Sequence, residues 1–61
     1  MSQFQVFQQA RKLLSRSPEL TDEQVAVALG IPAHVIAAGT GPGSELATIA
    51  QARKDVAAGD P

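Results

Sequence analysis

Few residues in this 61-residue chain have side chains that could act on a ligand. His34 is its one imidazole. It can donate to a base edge or a phosphate, though its plainer reading is an exposed residue in the first turn of a short helix. A lone histidine cannot form a two-histidine metal motif. The lack of cysteine removes disulfides, thiolate zinc sites and a cysteine nucleophile. With two phenylalanines and no Trp or Tyr, stacking of exposed bases is not the main binding mode. A chain this short buries only about 60% of its unfolded surface, too little for a deep cleft with a supporting shell. The expectation is a protein that is not an enzyme, with no catalytic residues, no metal and no cofactor.

What remains is charge. Residues 1–17 carry Arg11, Lys12 and Arg16 and no acid, and residues 18–50 carry Glu19, Asp22, Glu23 and Glu45 and no Lys or Arg. Residues 51–61 balance Arg53 and Lys54 against Asp55 and Asp60, so the three blocks hold +3, −4 and 0. An anionic partner therefore meets the N-terminal block first. A second reading of Arg11, Lys12 and Arg16 is a solvated helix face that suits the negative end of the helix dipole. Apolar stretches are only a few residues long, which predicts no membrane span. The first basic residues follow rather than precede the first apolar ones, the wrong order for a secretory signal. A cytoplasmic location is the resulting expectation.

Punctuation along the chain predicts four helices and no strand. Ser2, with Gln5 three residues on, opens the first. Phe4, Val6, Phe7, Ala10, Leu13 and Leu14 form its apolar stripe, with both phenylalanines read as core. Ser17-Pro18 stops it. Thr21-Asp22-Glu23-Gln24 is a second capping box, followed by Val25, Ala28 and Leu29 on one face. Gly30 ends that helix, Ile31 is a buried turn residue, and Pro32 pre-sets a short helix over about 32–38. Gly39-Thr40-Gly41-Pro42-Gly43 reads as a linker. Ser44 then starts a last helix over 44–58, with Leu46, Ile49, Ala50, Arg53 and Val56 along or beside one face. That helix is expected to pack back on the domain, with pairing to a second copy as the alternative. The whole chain, 1–61, is one domain: a three-helix core over 1–38, a linker at 39–43 and the C-terminal helix.

The turn carries the most specific pattern. Ala26 lies four residues before Gly30, Leu29 and Ile31 flank that glycine, and Ile36 lies six after it. Two short helices crossing through a tight turn need a small residue where they approach, Ala26, and a residue free of Cβ strain, Gly30. In this respect residues 20–38 resemble the helix-turn-helix domains of bacterial and phage transcription regulators, and the helical regions of bacterial sigma factors. The resemblance implies an all-α fold with a helix-turn-helix at about 21–38, whose turn is defined by Ala26, Gly30, Ile31 and Pro32.

It further implies a DNA-binding transcriptional regulator whose second motif helix enters the major groove. Ala33, His34, Ala37 and Thr40 would face the bases, and Arg11, Lys12 and Arg16 would face phosphate, in a homodimer matching a palindromic site. Two features of the residues depart from that pattern. The base-facing set has no Arg, Lys, Asn or Gln for bidentate readout, and Asp22 and Glu23 stand where phosphate is usually approached. The alternative is a helical protein-interaction module. It would present the alanine-rich third helix and Val27 to a protein partner such as a polymerase or repressor, since Val27 points away from the face made by Val25, Ala28 and Leu29.

Overall fold

The computed structural model describes residues 2–39, 41 and 43–59, so Thr40 and Pro42 of the linker lie outside the described residues. Among these the chain forms four helices and no strand: α1 Gln3–Arg16, α2 Asp22–Ala28, α3 Ala33–Ala37 and α4 Glu45–Ala57. Each boundary has a local cause. Ser2 Oγ accepts the Gln5 N–H at 3.2 Å and Ser44 Oγ accepts the Ala47 N–H at 3.1 Å, each satisfying a donor the helix leaves open. At α2 the box is complete: Thr21 Oγ1 accepts from Gln24 N at 3.1 Å while Gln24 Oε1 accepts from Thr21 N at 2.9 Å.

Between α2 and α3 the chain bends as expected. Gly30 adopts φ 83°, in the left-handed region. Ile31 N–H donates to the Ala26 carbonyl and Gly30 N–H to the Val27 carbonyl, both at 3.0 Å. These are the two bonds of a Schellman stop. Its apolar clasp is present as well, because Ile31, Val25 and Ala26 are all buried. Val35 and Ile36, half-buried, pack on the same cluster from α3.

Contacts along α1 and α4 show how the molecule is arranged. At one end the Gln3 side chain meets the Gly43 carbonyl and the Thr48 hydroxyl. Further along, Arg11 Nε lies 2.8 Å from Asp55 Oδ2. Leu14 and Pro18 share a depression with Val56 and Ala57 at the far end. Both sequences ascend together, so α1 and α4 run parallel. From Gln3 to Arg11 the helix rises about 12 Å, and from Thr48 to Asp55 about 10.5 Å, which keeps the pairs in step. Parallel neighbours need a return stroke between them, and α2 supplies it. It starts at Asp22, held by Arg53, and ends where Gly30, Ile31 and Pro32 lie against Val6 and Glu45 at the opposite end.

The core is Val6, Ala10 and Leu14 of α1, Val25 and Ala26 of α2, Ile31, and Leu46, Ile49 and Ala52 of α4. The all-α expectation holds, and α4 does pack on the domain. Burial, however, is not concentrated within 1–38. The α1–α4 interface is the most extensive in the molecule, α4 also touches α2 and α3, and α1 and α3 do not touch. Three details of the stripes are corrected. Ala28, read on one face with Val25 and Leu29, is exposed, and Ala26 is buried beside Val25 instead. Phe4 is 70% exposed rather than core; it lies about 120° around α1 from the Val6–Ala10–Leu14 line. In α4, Ala52 is fully buried, whereas Ala50 is only partly so. A helix gripped from more than one side buries a broader face than a single-stripe reading gives it, and a small side chain suits the close approach.

Candidate interaction surface

The residues expected to meet DNA or a partner separate into three groups. The first lies on α3, where Ala33, His34 and Ala37 are all exposed. The helix is only five residues long and none of its residues is fully buried. Thr40, the fourth expected contact, lies outside the described residues. Val27 forms the second group. It is 67% exposed, opposite the buried side of α2, and shares a shallow depression with Leu20, Glu23 and Gln24.

The basic cluster is the third group, and it is split. Arg11 is half-buried, engaged by Asp55 and lying over the Phe7 ring at 5.9 Å from its centroid. That position ties its charge to the α1–α4 interface and places its guanidinium within cation–π range of an aromatic face. Arg11, read from the sequence as a contact residue, thus has its charge engaged within the fold. Lys12 and Arg16 are exposed. They line a groove with Gln9, Leu13, Ala28 and Leu29. Because α1 and α3 do not touch, the structure does not bring Lys12 and Arg16 together with the outward residues of α3.

A second cation is also committed internally. Arg53 Nε and Nη2 donate to Asp22 Oδ1 at 3.0 and 2.9 Å, Nη1 donates to the Pro18 carbonyl at 3.2 Å, and Nη2 reaches the Leu20 carbonyl. One planar fork thus ties the α1–α2 loop and the start of α2 to α4, a geometry that lysine cannot reproduce. Asp22, one of the two acids standing where phosphate is usually approached, is thus ion-paired within the fold. Sequence reasoning placed Arg53 beside the apolar face but missed its role, since its partners lie more than thirty positions away. The available hint was an arginine on an otherwise apolar stripe.

Among the described residues no group of three or more His, Cys, Asp or Glu gathers as a metal site, and no helix is long and apolar enough to cross a membrane. Comparison with family models, curated proteins and solved structures found no match.

Proposed function

We propose that the chain is a non-catalytic helical module that binds a partner protein through the outward surface of α2 and α3. One observation carries this reading: the exposed positions of the two helices include Val27 on α2 and Ala33, His34 and Ala37 on α3. None of these four is Lys, Arg, Asp or Glu, and Glu23 lies beside Val27. Depleted charge at the centre and charge at the margin is the pattern of a protein interface. Phosphate binding, by contrast, draws on Lys and Arg. Two of the chain's five are held by Asp55 and Asp22 within the fold.

Lys12 and Arg16 support a second reading, a DNA-binding transcriptional regulator, because both are exposed on one face of α1. Helix N-termini would add phosphate contacts without basic side chains. The two readings separate in one experiment. The chain and its Val27→Glu variant are compared for proteins retained from extract of the source cell, alongside titration with random duplex DNA at low salt. A protein companion lost in Val27→Glu, with no saturable DNA binding, is the expected result. DNA binding that survives Val27→Glu and disappears with Lys12→Glu/Arg16→Glu overturns the proposal in favour of the second reading. Lys12 and Arg16 are the appropriate pair to reverse, since reversing Arg11 would also break its pairing with Asp55.

A further inference from the structure

Lys12 and Arg16 do not stand on a bare convex helix. With Gln9 and Leu13 they form one wall of a shallow groove, and Ala28 and Leu29 at the end of α2 form the other. Gln9, Lys12 and Arg16 follow the i, i+3, i+7 spacing that places side chains on one ridge. Leu13 and Leu29 are half-buried, packed on the core while still lining the groove. No acid lines it. At the end of α2 the Ala26 and Val27 carbonyls accept from Ile31 and Gly30. The groove is therefore apolar at its base, cationic along the α1 rim and neutral along the other.

We infer that this groove docks an acidic amphipathic helical segment of a partner protein. Carboxylates on successive turns of that segment meet Lys12 and Arg16, and a leucine-type side chain rests on Leu13 and Leu29. Charge complementarity identifies the occupant: the groove's lining carries two bases, Lys12 and Arg16, and no acid. The apolar base separates this occupant from nucleic acid, since a phosphate backbone gains nothing from Leu13 or Leu29. Helix-in-groove recognition needs this combination of apolar anchors and a charged rim. The groove is distinct from the surface proposed above. Val27 and Ala28 are neighbours on α2 whose side chains diverge by about 100°, so this inference stands or falls separately.

The test uses the full chain and a short synthetic helical peptide with leucines at i, i+3 and i+7 and glutamates flanking them. Methyl and amide shifts are followed by NMR, and affinity is measured as salt is raised. The expected result is binding that weakens with salt and perturbs the Leu13, Ala28 and Leu29 signals. Lys12→Glu/Arg16→Glu should lower affinity at least about tenfold. Ala28→Glu, which adds an acid on the opposite rim at an exposed helical position, should lower it several-fold. Circular dichroism of both variants should match that of the parent. Equal binding of a peptide with serine in place of leucine overturns the inference, because charge alone would then account for it. So does displacement of the peptide by random duplex DNA at matched charge, or shifts confined to Val27 and Ala33. A dimer that Lys12→Glu/Arg16→Glu dissociates would overturn it too, by making a second copy the occupant.

Discussion

Arg53 spreads one guanidinium over Asp22 and two loop carbonyls, Pro18 and Leu20. Removing it leaves those acceptors to water and cuts the tie between α4 and the start of α2. Hydrogen bonds to charged groups contribute about 1.5–3 kcal/mol when well shielded, and partial exposure of this pair lowers that. Arg53→Ala is therefore expected to destabilise the fold by about 1–2 kcal/mol, and Arg53→Lys by less, because the charge survives without the fork. Chemical denaturation of the two variants beside the parent checks the order. A midpoint unchanged in Arg53→Ala would show that the contact contributes nothing net. Phe4 presents the opposite case. Its ring is 70% exposed, so Phe4→Ser should stay within about 0.5 kcal/mol of the parent despite removing a large apolar side chain. A loss beyond about 2 kcal/mol would place the ring in the core after all. Neither residue could be read correctly from the sequence. Arg53's acceptors are distant in the chain, and Phe4 fits a helical stripe whose centre only α4 defines.

At the scale of elements, what acts locally was legible. Ser2, Thr21 and Ser44 cap α1, α2 and α4 as read, and Ser17-Pro18 follows the end of α1. The bend over 29–32 also forms where the glycine and the following proline place it, because caps and stops act within one turn of their own residue. Gly30 offers a clean test, since a Cβ added there would meet nothing within 4 Å. Any cost of substitution is then backbone strain at φ 83° rather than collision. Gly30→Val is expected to cost more than about 1 kcal/mol, and Gly30→Asn clearly less, because asparagine tolerates the left-handed region. Thermal denaturation of both variants measures this. Equal melting temperatures for parent and valine variant would mean that the turn does not need glycine. What was not legible is how elements share burial. Ala52 rather than Ala50 is sealed in α4, and the cluster Arg11, Lys12, Arg16 is divided between an interface and a groove. Both outcomes depend on which helix lies alongside, information that no single helix carries.

For the whole molecule, the parallel pairing of α1 and α4 makes the last helix the centre of the fold rather than an appendage. The Cα radius of gyration is 10.5 Å, matching the about 10.5 Å of a compact domain of this length, so the four helices pack without a detached part. Leu46, Ile49 and Ala52 fill the side of α1 that Val6, Ala10 and Leu14 present, and among the described helices α3 contacts α2 and α4. Without α4 those α1 residues face water, and Arg11 and Asp22 lose Asp55 and Arg53. A chain this short has little surplus stability to absorb such a loss. A fragment ending before Ser44 is therefore expected to show no cooperative thermal transition and much reduced helicity by circular dichroism. Adding a separate peptide of residues 44–59 should restore part of both signals in proportion to its concentration. A fragment that melts cooperatively by itself would instead mean that 1–43 holds an independent core. The proposed surface on α2 and α3 would then survive the deletion of α4, whereas the parallel architecture requires it to be lost together with the fold.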